Sequence, residues 1–551
     1  MSERSNPPTR SDQIVVAPGQ ASETATSVPP RVVRWVATQA WLFPLVVGGG
    51  LVLAGIRGSD LPAQLYRTWA FGAHGFVLFD INWYGGHADV GYSVLFPAVA
   101  WLVGVQPLTI AASSVSTALV GRLIGPADSW AAAVARIWFG VSALSDVLVG
   151  RGPFACAMAF DIAALLAVSR RRPKSALVLA AIGSLFSPLA AAFTLFVGVV
   201  WAGSIGWRRV SVLAGGLVGL AVATFFGDGG YFPFPWTALV VQLVIVTVGL
   251  VVIPGRLMYL RRGLMLYALL CLGLFAIPTP VGGNIARLTA IAVGPVAAWA
   301  LLRARRRVTL AVVGVPLIIF QALPVVSSTA WAGDDRAAHP AYYTGLLAYL
   351  HSHLDVGERV EIPFTKGHWE ADYVARDVPL ARGWDRQVDV AHNIVLYSSP
   401  LNQVSYRRWL DDNAVQFVAL PDTTLDAGGV AESALLKNPP DWLTPAYRNA
   451  NWRVWAVRNP VPISTGAAAV VGSTPTGLTL TASGPGVSDV RVRWTRYWEI
   501  TEGNACVAPS ADGWTSLINF GPGLIHLTTA VSFDPEGACT PAELAAYNLS
   551  G

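Results

Sequence analysis

Apolar residues dominate positions 35–326 in runs separated by short polar or basic segments, and from about residue 331 their density falls to that of a soluble protein. A membrane-spanning helix needs roughly 20 mostly apolar residues, fewer within a bundle. By that measure the runs 35–56, 107–124, 129–148, 153–169, 175–187, 189–206, 210–226, 236–253, 263–278, 285–302 and 308–326 predict eleven spans. The run 92–105 is shorter, opens with Gly91-Tyr92-Ser93 and contains Pro97. It predicts a helix lying in the interface, inside a long first loop covering 57–106.

Past the membrane region the periodicity changes. Tyr342–Leu354 and Tyr406–Asn413 carry helical spacing, while Arg359–Phe364, Gln416–Leu420 and Trp452–Val457 read as strands, together a small α/β unit over 331–459. From Pro460 short β runs follow one another: Ala467–Val471, Gly477–Thr481, Val487–Trp494, Trp514–Leu517 and Leu524–Thr529. Gly, Pro and Ser separate them, predicting a β-sandwich-like unit over 460–551. The expected fold is therefore an α-helical polytopic membrane bundle followed by an extracytoplasmic α/β unit and a β-rich domain.

Charge gives the bundle its direction. Basic residues cluster at the ends of apolar runs: Arg31 and Arg34; Arg170, Arg171, Arg172 and Lys174; Arg208 and Arg209; Arg256, Arg261 and Arg262; Arg303, Arg305, Arg306 and Arg307. Loops kept in the cytoplasm carry such excesses. Four apolar runs lie between Asp60 and Arg170, and if all four crossed, the cluster at 170–174 would fall outside. An odd number crosses, so 92–105 stays in the interface and every basic cluster falls inside. The expectation is a multi-pass bacterial inner-membrane protein, amino terminus in the cytoplasm and carboxyl-terminal part outside.

Composition agrees. Of 551 residues 53% are hydrophobic and 13% charged, about half the charge of ordinary soluble domains. The net charge of +5 does not mark a nucleic-acid partner, because no basic face interleaved with aromatics accompanies it. Residues 1–34 are rich in Ser, Thr, Pro and Gln before the first apolar run, and are expected to form a disordered cytoplasmic tail. That first run is expected to act as an uncleaved signal anchor. Cys156 and Cys271 fall in predicted spans, whereas Cys506 and Cys539 fall outside, where an oxidising compartment favours a disulfide.

The first loop carries the chemistry. It reads Gly58-Ser59-Asp60-Leu61-Pro62-Ala63-Gln64-Leu65-Tyr66-Arg67, then Phe79-Asp80-Ile81-Asn82-Trp83-Tyr84-Gly85-Gly86-His87, then Gly91-Tyr92-Ser93-Val94-Leu95-Phe96-Pro97. Asp60 follows the first span closely, so its carboxylate sits at the membrane surface, where partial desolvation suits a general base. The same residue also fits a helix cap ahead of Leu61-Pro62. Trp83, Tyr84 and His87 are candidates for holding an acceptor or sugar. The patch Trp494, Tyr497 and Trp498 could stack on a sugar ring or belong to the core of the β unit.

The long acid-bearing first loop with its interfacial helix, the many spans, and the Asp60…Gln64…Arg67 and Gly91-Tyr92…Pro97 pattern resemble the GT-C superfamily of membrane glycosyltransferases, which use polyprenyl-phosphate sugars. The closest likeness is to its bacterial branch named after a 6-pyruvoyl-tetrahydropterin-synthase-related domain. The resemblance covers 35–330 and, in general plan, the soluble part. It implies inverting transfer on the outer face to a cell-envelope glycan or glycolipid, with an acid of the first loop deprotonating the acceptor hydroxyl. By position Asp60 matches that acid and Asp80 is the second candidate. The departing phosphate calls for cations: Arg287, entering a span in Gly282-Gly283-Asn284-Ile285-Ala286-Arg287, then Arg67 and Arg151, with Asn284 beside them. Some members bind a divalent cation through acids of the second loop. Here that loop offers Asp146 near Arg151 without a paired Asp-X-Asp, so a metal is not supported.

Arg136 and Asp161 are charges inside predicted spans, about 14 and 10 residues from a shared turn. At about 1.5 Å rise per residue their depths differ by ~6 Å, which predicts a buried salt bridge, and Asp161→Asn is expected to destabilise the protein. Two other readings stand beside the transferase. A secondary transporter would show internal repeats and broken mid-membrane helices, and no repeat relates the halves. A non-catalytic relative would bind polyprenyl-linked glycans or a partner enzyme, and would lack an acid beside the lipid-phosphate site.

Overall fold

The computed structural model describes residues 28–201, 206–530 and 537–547. Most of the expected amino-terminal tail, residues 1–27, lies outside them, and Arg31 already opens helix α1 (Arg31–Thr38). A break and a 67° bend separate α1 from α2 (Phe43–Leu53), so the predicted first span is an elbow rather than one rod. In the first loop follow α3 (Leu61–His74) and α4 (Phe96–Val103). At eight residues α4 is far too short to cross a bilayer.

Among the described residues seven helices are long and apolar enough to cross: α5 (Val105–Ile124), α6 (Trp130–Val149), α7 (Gly152–Ser169), α10 (Gly206–Phe225), α12 (Met258–Ala276), α13 (Gly282–Arg303) and α14 (Arg307–Thr329). The bent pair α1–α2 makes eight if counted as one span. The remaining three expected spans are shorter apolar helices, α8 (Pro173–Phe186), α9 (Pro188–Val200) and α11 (Trp236–Val252). Ser187-Pro188 stops α8 and starts α9, with the Ser187 hydroxyl accepting from the Ala190 amide.

The turns gather at two ends. At one end the first loop meets the other turns through Asp60 N–H to the Val149 carbonyl (3.0 Å) and Val94 N–H to the Leu185 carbonyl (3.0 Å), and Phe232 N–H bonds the Thr279 carbonyl (3.0 Å). At the opposite, basic end, Arg306 donates to the Val252 carbonyl (2.8 Å), Arg256 to the Arg303 carbonyl (3.4 Å), and Arg34 pairs with Asp128 (3.6 Å). Cations there meet the carbonyl ends of helices, where the helix dipole favours them.

The expected Arg136–Asp161 bridge is not formed. α6 packs on α13, whereas α7 packs on α8 and α5, so the two consecutive helices carry their charges to different neighbours. Arg136 reaches back to the basic end and donates to the Gly125 carbonyl (3.1 Å). Asp161 faces Gly183 of α8 and Thr194 of α9 and, among the described residues, meets no cation.

Beyond α14 come α15 (Thr344–His353), α16 (Arg386–His392), α17 (Gln403–Asp412) and α18 (Ala427–Leu436) around a four-stranded sheet of order β1-β2-β4-β3. Its strands are β1 (Arg359–Glu361), β2 (Val415–Pro421), β3 (Leu443–Arg448) and β4 (Trp452–Val457). β1 runs parallel to β2 with Val360 opposite Phe417, and the other pairs are antiparallel. The remaining strands make two antiparallel four-stranded sheets. One joins β5 (Ser464–Gly466), β8 (Gly486–Arg493), β10 (Ala505–Pro509) and β11 (Trp514–Asn519) in the order β10-β11-β8-β5. The other joins β6 (Ala468–Thr474), β7 (Gly477–Ala482), β9 (Trp498–Glu502) and β12 (Gly523–Thr529) in the order β6-β7-β12-β9. Alternate residues such as Val490, Val492, Leu478 and Leu480 point into the shared core. Cys506 of β10 and Cys539 form the expected disulfide.

Two side chains of the membrane region complete that core. Phe79 and Ile81 of the first loop are buried among the sandwich residues, Phe79 edge-on to Trp498 at 5.7 Å, and Ile81 N–H bonds the Pro475 carbonyl (2.9 Å). The first loop is thereby held by both the bundle and the soluble half.

Candidate active site

Asp60 is placed by a close approach of two turns. Its amide bonds the Val149 carbonyl, and Gly150 beside it has φ +91°, where a Cβ would come within 2.6 Å of the Leu61 nitrogen. Glycine at 150 therefore lets the α6–α7 turn lie against the start of α3. Ser59 is tied from two sides: its amide bonds the Ser328 hydroxyl of α14 (3.0 Å) and its carbonyl accepts from the Trp384 indole (2.7 Å).

The Asp60 carboxylate does not cap α3, although Pro62 stands in the first turn as expected. It turns instead to two guanidiniums, with Oδ2 3.2 Å from Nε of Arg151 and 3.8 Å from Nη2 of Arg287. All three side chains keep a window to solvent, with 22%, 16% and 20% of their surface exposed. Buried Asp146 lies within electrostatic reach of both arginines, and Tyr92 of Asp60 and Arg287. Gln64 donates to the Tyr92 hydroxyl (3.1 Å). Asn284 sits in the tight opening turn of α13, three residues before Arg287. Three residues from three distant segments, Asp60, Arg151 and Arg287, thus meet at one partly open point.

Other candidates lie in a second, closed cluster. Arg67 pairs with Asp89 and, at 3.5 Å, with Asp385 of the soluble half, and Tyr92 lies under its guanidinium at 4.0 Å. His87 Nε2 is 3.8 Å from Asp89, and Trp83 stacks on His87 (5.4 Å) and Tyr66 (4.5 Å). Tyr84 donates to the Gly383 carbonyl (2.6 Å) and accepts from the Asp385 amide (2.8 Å). Asp80 bridges to His87 through both backbone groups and is 1% exposed. Burial pushes Asp80 up to about 6 and Asp385 likewise to about 6. Burial acts to raise Asp89, but Arg67 and His87 outweigh it and hold it low; burial acts to lower His87, but Asp89 and Asp80 outweigh it and raise it. This cluster welds the loop to the soluble half, and all its members but the half-buried Tyr92 are shut away from solvent.

Trp498 is enclosed in the sandwich core at 1% exposure, and Tyr497 stacks on Phe226 of the α10–α11 loop (5.3 Å) while donating to the Phe225 carbonyl (3.1 Å). That aromatic patch is used for packing and docking. Asp89, Trp384 and Asp385 carry no local motif in the sequence; only their partners identify them. Among the described residues no group of three or more His, Cys, Asp or Glu is arranged to hold a metal ion.

No family model matches the chain, and no curated protein matches it. Among solved structures it is similar to the arabinofuranosyltransferase AftD from Mycobacteria, at 16% identity over 84% of this chain and 41% of that one, with a TM-score of 0.40. It is also similar to the oligosaccharyltransferase of Archaeoglobus fulgidus, at 12% identity over 71% and 69% of the two chains, TM-score 0.41. A third is ArnT from Cupriavidus metallidurans bound to undecaprenyl phosphate, at 12% identity over 78% and 98%, TM-score 0.35. The chain spans about two fifths of the length of the mycobacterial protein in the first of these.

Proposed function

We propose that the protein is a membrane glycosyltransferase that moves a sugar from a polyprenyl-phosphate donor to an envelope glycan or glycolipid acceptor on the outer face, with inversion at the anomeric carbon. The observation that carries this reading is the meeting of Asp60 with Arg151 and Arg287 at a partly open point between the bundle and the soluble half.

In the resting protein the carboxylate lies between the two guanidiniums and offsets part of their charge. A donor phosphodiester, with one negative charge and two free oxygens like the carboxylate, competes for the same forks, and its charge grows as the sugar leaves. Once Arg151 and Arg287 turn to the phosphate, Asp60 is released beside the donor and accepts the proton of an acceptor hydroxyl. The acceptor oxygen bonds to the anomeric carbon, the bond from that carbon to the phosphate oxygen breaks, and its electron pair leaves with polyprenyl phosphate. The guanidiniums stabilise the charge that develops there. Asp146, buried behind them, keeps the arginines anchored when Asp60 no longer holds them. Arg67, already committed to Asp89 and Asp385, serves the loop rather than the donor.

The test is transfer from a panel of radiolabelled polyprenyl-phosphate sugars by the purified full chain and by Asp60→Asn in the same detergent. Loss of label transfer by about 10²–10⁴-fold, with the variant folded and still binding donor, is expected. Transfer that survives the substitution removes Asp60 as the base. Saturable donor binding without transfer by the unmutated chain would favour the non-catalytic glycolipid-binding reading.

A further inference from the structure

At the basic end, remote from Asp60, a cavity opens under the elbow between α1 and α2. Thr38 and Trp41 of the elbow, Thr117 and Arg122 of α5, and Arg136 of α6 line it, and the alanines at 37, 40 and 118 leave it room. Two arginines therefore face one cavity, and among the described residues no carboxylate pairs with either. Arg122 is exposed. Arg136 spends one N–H on the Gly125 carbonyl while its Nε is buried without a partner. A Cβ on Gly121 would come within 2.8 Å of the Arg136 Nη2, so glycine at that position admits the guanidinium to the cavity wall.

An unneutralised pair of guanidiniums at a membrane end asks for an anion, and an unsatisfied buried donor costs free energy until it finds one. The elbow indicates which kind. α1 is strongly amphipathic in sequence, bent 67° from α2, and exposes Val32 (72%) and Trp35 (62%) beside Arg31 and Arg34. A short basic helix with exposed Trp and Val lies in the plane of the interface among lipid head groups. The cavity beneath it is thus level with the phosphates of one leaflet.

We propose that this cavity binds the phosphate of an anionic phospholipid, gripped by Arg122 and Arg136 and covered by the α1–α2 elbow. The guanidiniums supply planar, paired donors that suit a phosphate, and the Thr38 and Thr117 hydroxyls line the same space. The site is separate from the proposed transfer chemistry and does not depend on it.

The experiment counts lipid on the full chain by native mass spectrometry, after exchange into neutral detergent and titration with phosphatidylglycerol, phosphatidylcholine or inorganic phosphate. One phosphatidylglycerol should bind saturably, without displacement by phosphatidylcholine or inorganic phosphate. Arg122→Gln and Arg136→Gln should each weaken binding roughly fivefold, and the double variant should lose it. Arg122 is exposed and, among the described residues, has no hydrogen bond or ion pair, so its variant remains informative if Arg136→Gln misfolds. Arg262→Gln, an exposed arginine at the same end on α12, should change nothing. Unaltered binding by Arg122→Gln, an equal loss in Arg262→Gln, or displacement by inorganic phosphate at matched concentration would overturn the assignment.

Discussion

The Trp384 indole donates to the Ser59 carbonyl over 2.7 Å, one residue ahead of Asp60, although 325 positions separate the two in the chain. The indole is itself held between the His368 ring, stacked at 3.4 Å, and the Arg386 guanidinium at 4.9 Å. The soluble half therefore sets the position of the proposed base. Trp384→Phe keeps the stack and removes the donor. Transfer should fall about 10- to 100-fold in kcat, the scale of a small misplacement of a reacting group, with donor KM nearly unchanged. An unchanged kcat would remove Trp384 from any positioning role.

Asp80 and Asp60 separate by access. Asp80 is enclosed with Tyr66, Asn82 and His87, and no substrate atom can reach it. Asp80→Asn should therefore keep transfer within a few-fold of the unmutated chain, far from the 10²–10⁴-fold expected when a general base is lost. A loss of that size in a folded Asp80→Asn protein would reverse the assignment of the two acids.

The soluble half should lose stability as pH rises through neutrality. Burial pushes Glu370 up to about 8, against an ordinary value of 4.5, while Thr365 donates to it through its amide and hydroxyl. The folded protein holds that proton after the unfolded chain has released it, so the contribution is complete below pH 4.5 and is lost as pH approaches and passes about 8. Chemical-denaturation midpoints measured between pH 5 and 8.5 should descend, and Glu370→Gln should flatten that descent. Parallel curves for the two proteins would show that Glu370 is ionised throughout.

Among the described residues Asp161 has no cation beside it, and its buried oxygens face the neutral Thr194 hydroxyl. Asp161→Asn removes a potential charge from the bundle without breaking a pair. The melting temperature should stay the same or rise, the opposite of what a bridge to Arg136 predicts. A clear fall would show that the carboxylate has a charged partner after all.

The signals that could be read from the sequence were the local ones. Spans appear as apolar runs because lipid demands them, and the basic clusters collect at one end as the charge rule requires. β7, β8 and β12 were visible through alternation, which a half-buried strand imposes. β9 and β10 were not, because Trp498–Glu502 and Ala505–Pro509 are five residues each and barely alternate. The elbow at 38–43 was hidden for a related reason: an apolar run has the same composition whether it is straight or bent.

Among site residues, Asp60 was legible because a carboxylate directly after a span is itself unusual, and Arg287 and Arg151 because each enters a span from the loop side. Their convergence on one oxygen was not legible, nor was the diversion of Arg67 to Asp89 and Asp385. Arg136 and Asp161 show the same boundary. Sequence placed them at similar depth, but which neighbour each helix face meets depends on packing across the whole bundle. Composition and periodicity determined by themselves that this chain carries membrane-spanning helices, that basic residues collect at the ends of its apolar runs, and that a β-rich unit follows. Only tertiary structure decided that Phe79 and Ile81 plug that unit onto the first loop, that Trp384 holds Ser59, and that Asp60 sits between two arginines. The physical reason is range: hydrophobicity and charge act on each segment where it stands, whereas a hydrogen bond or ion pair exists only after distant segments have been brought within a few ångströms.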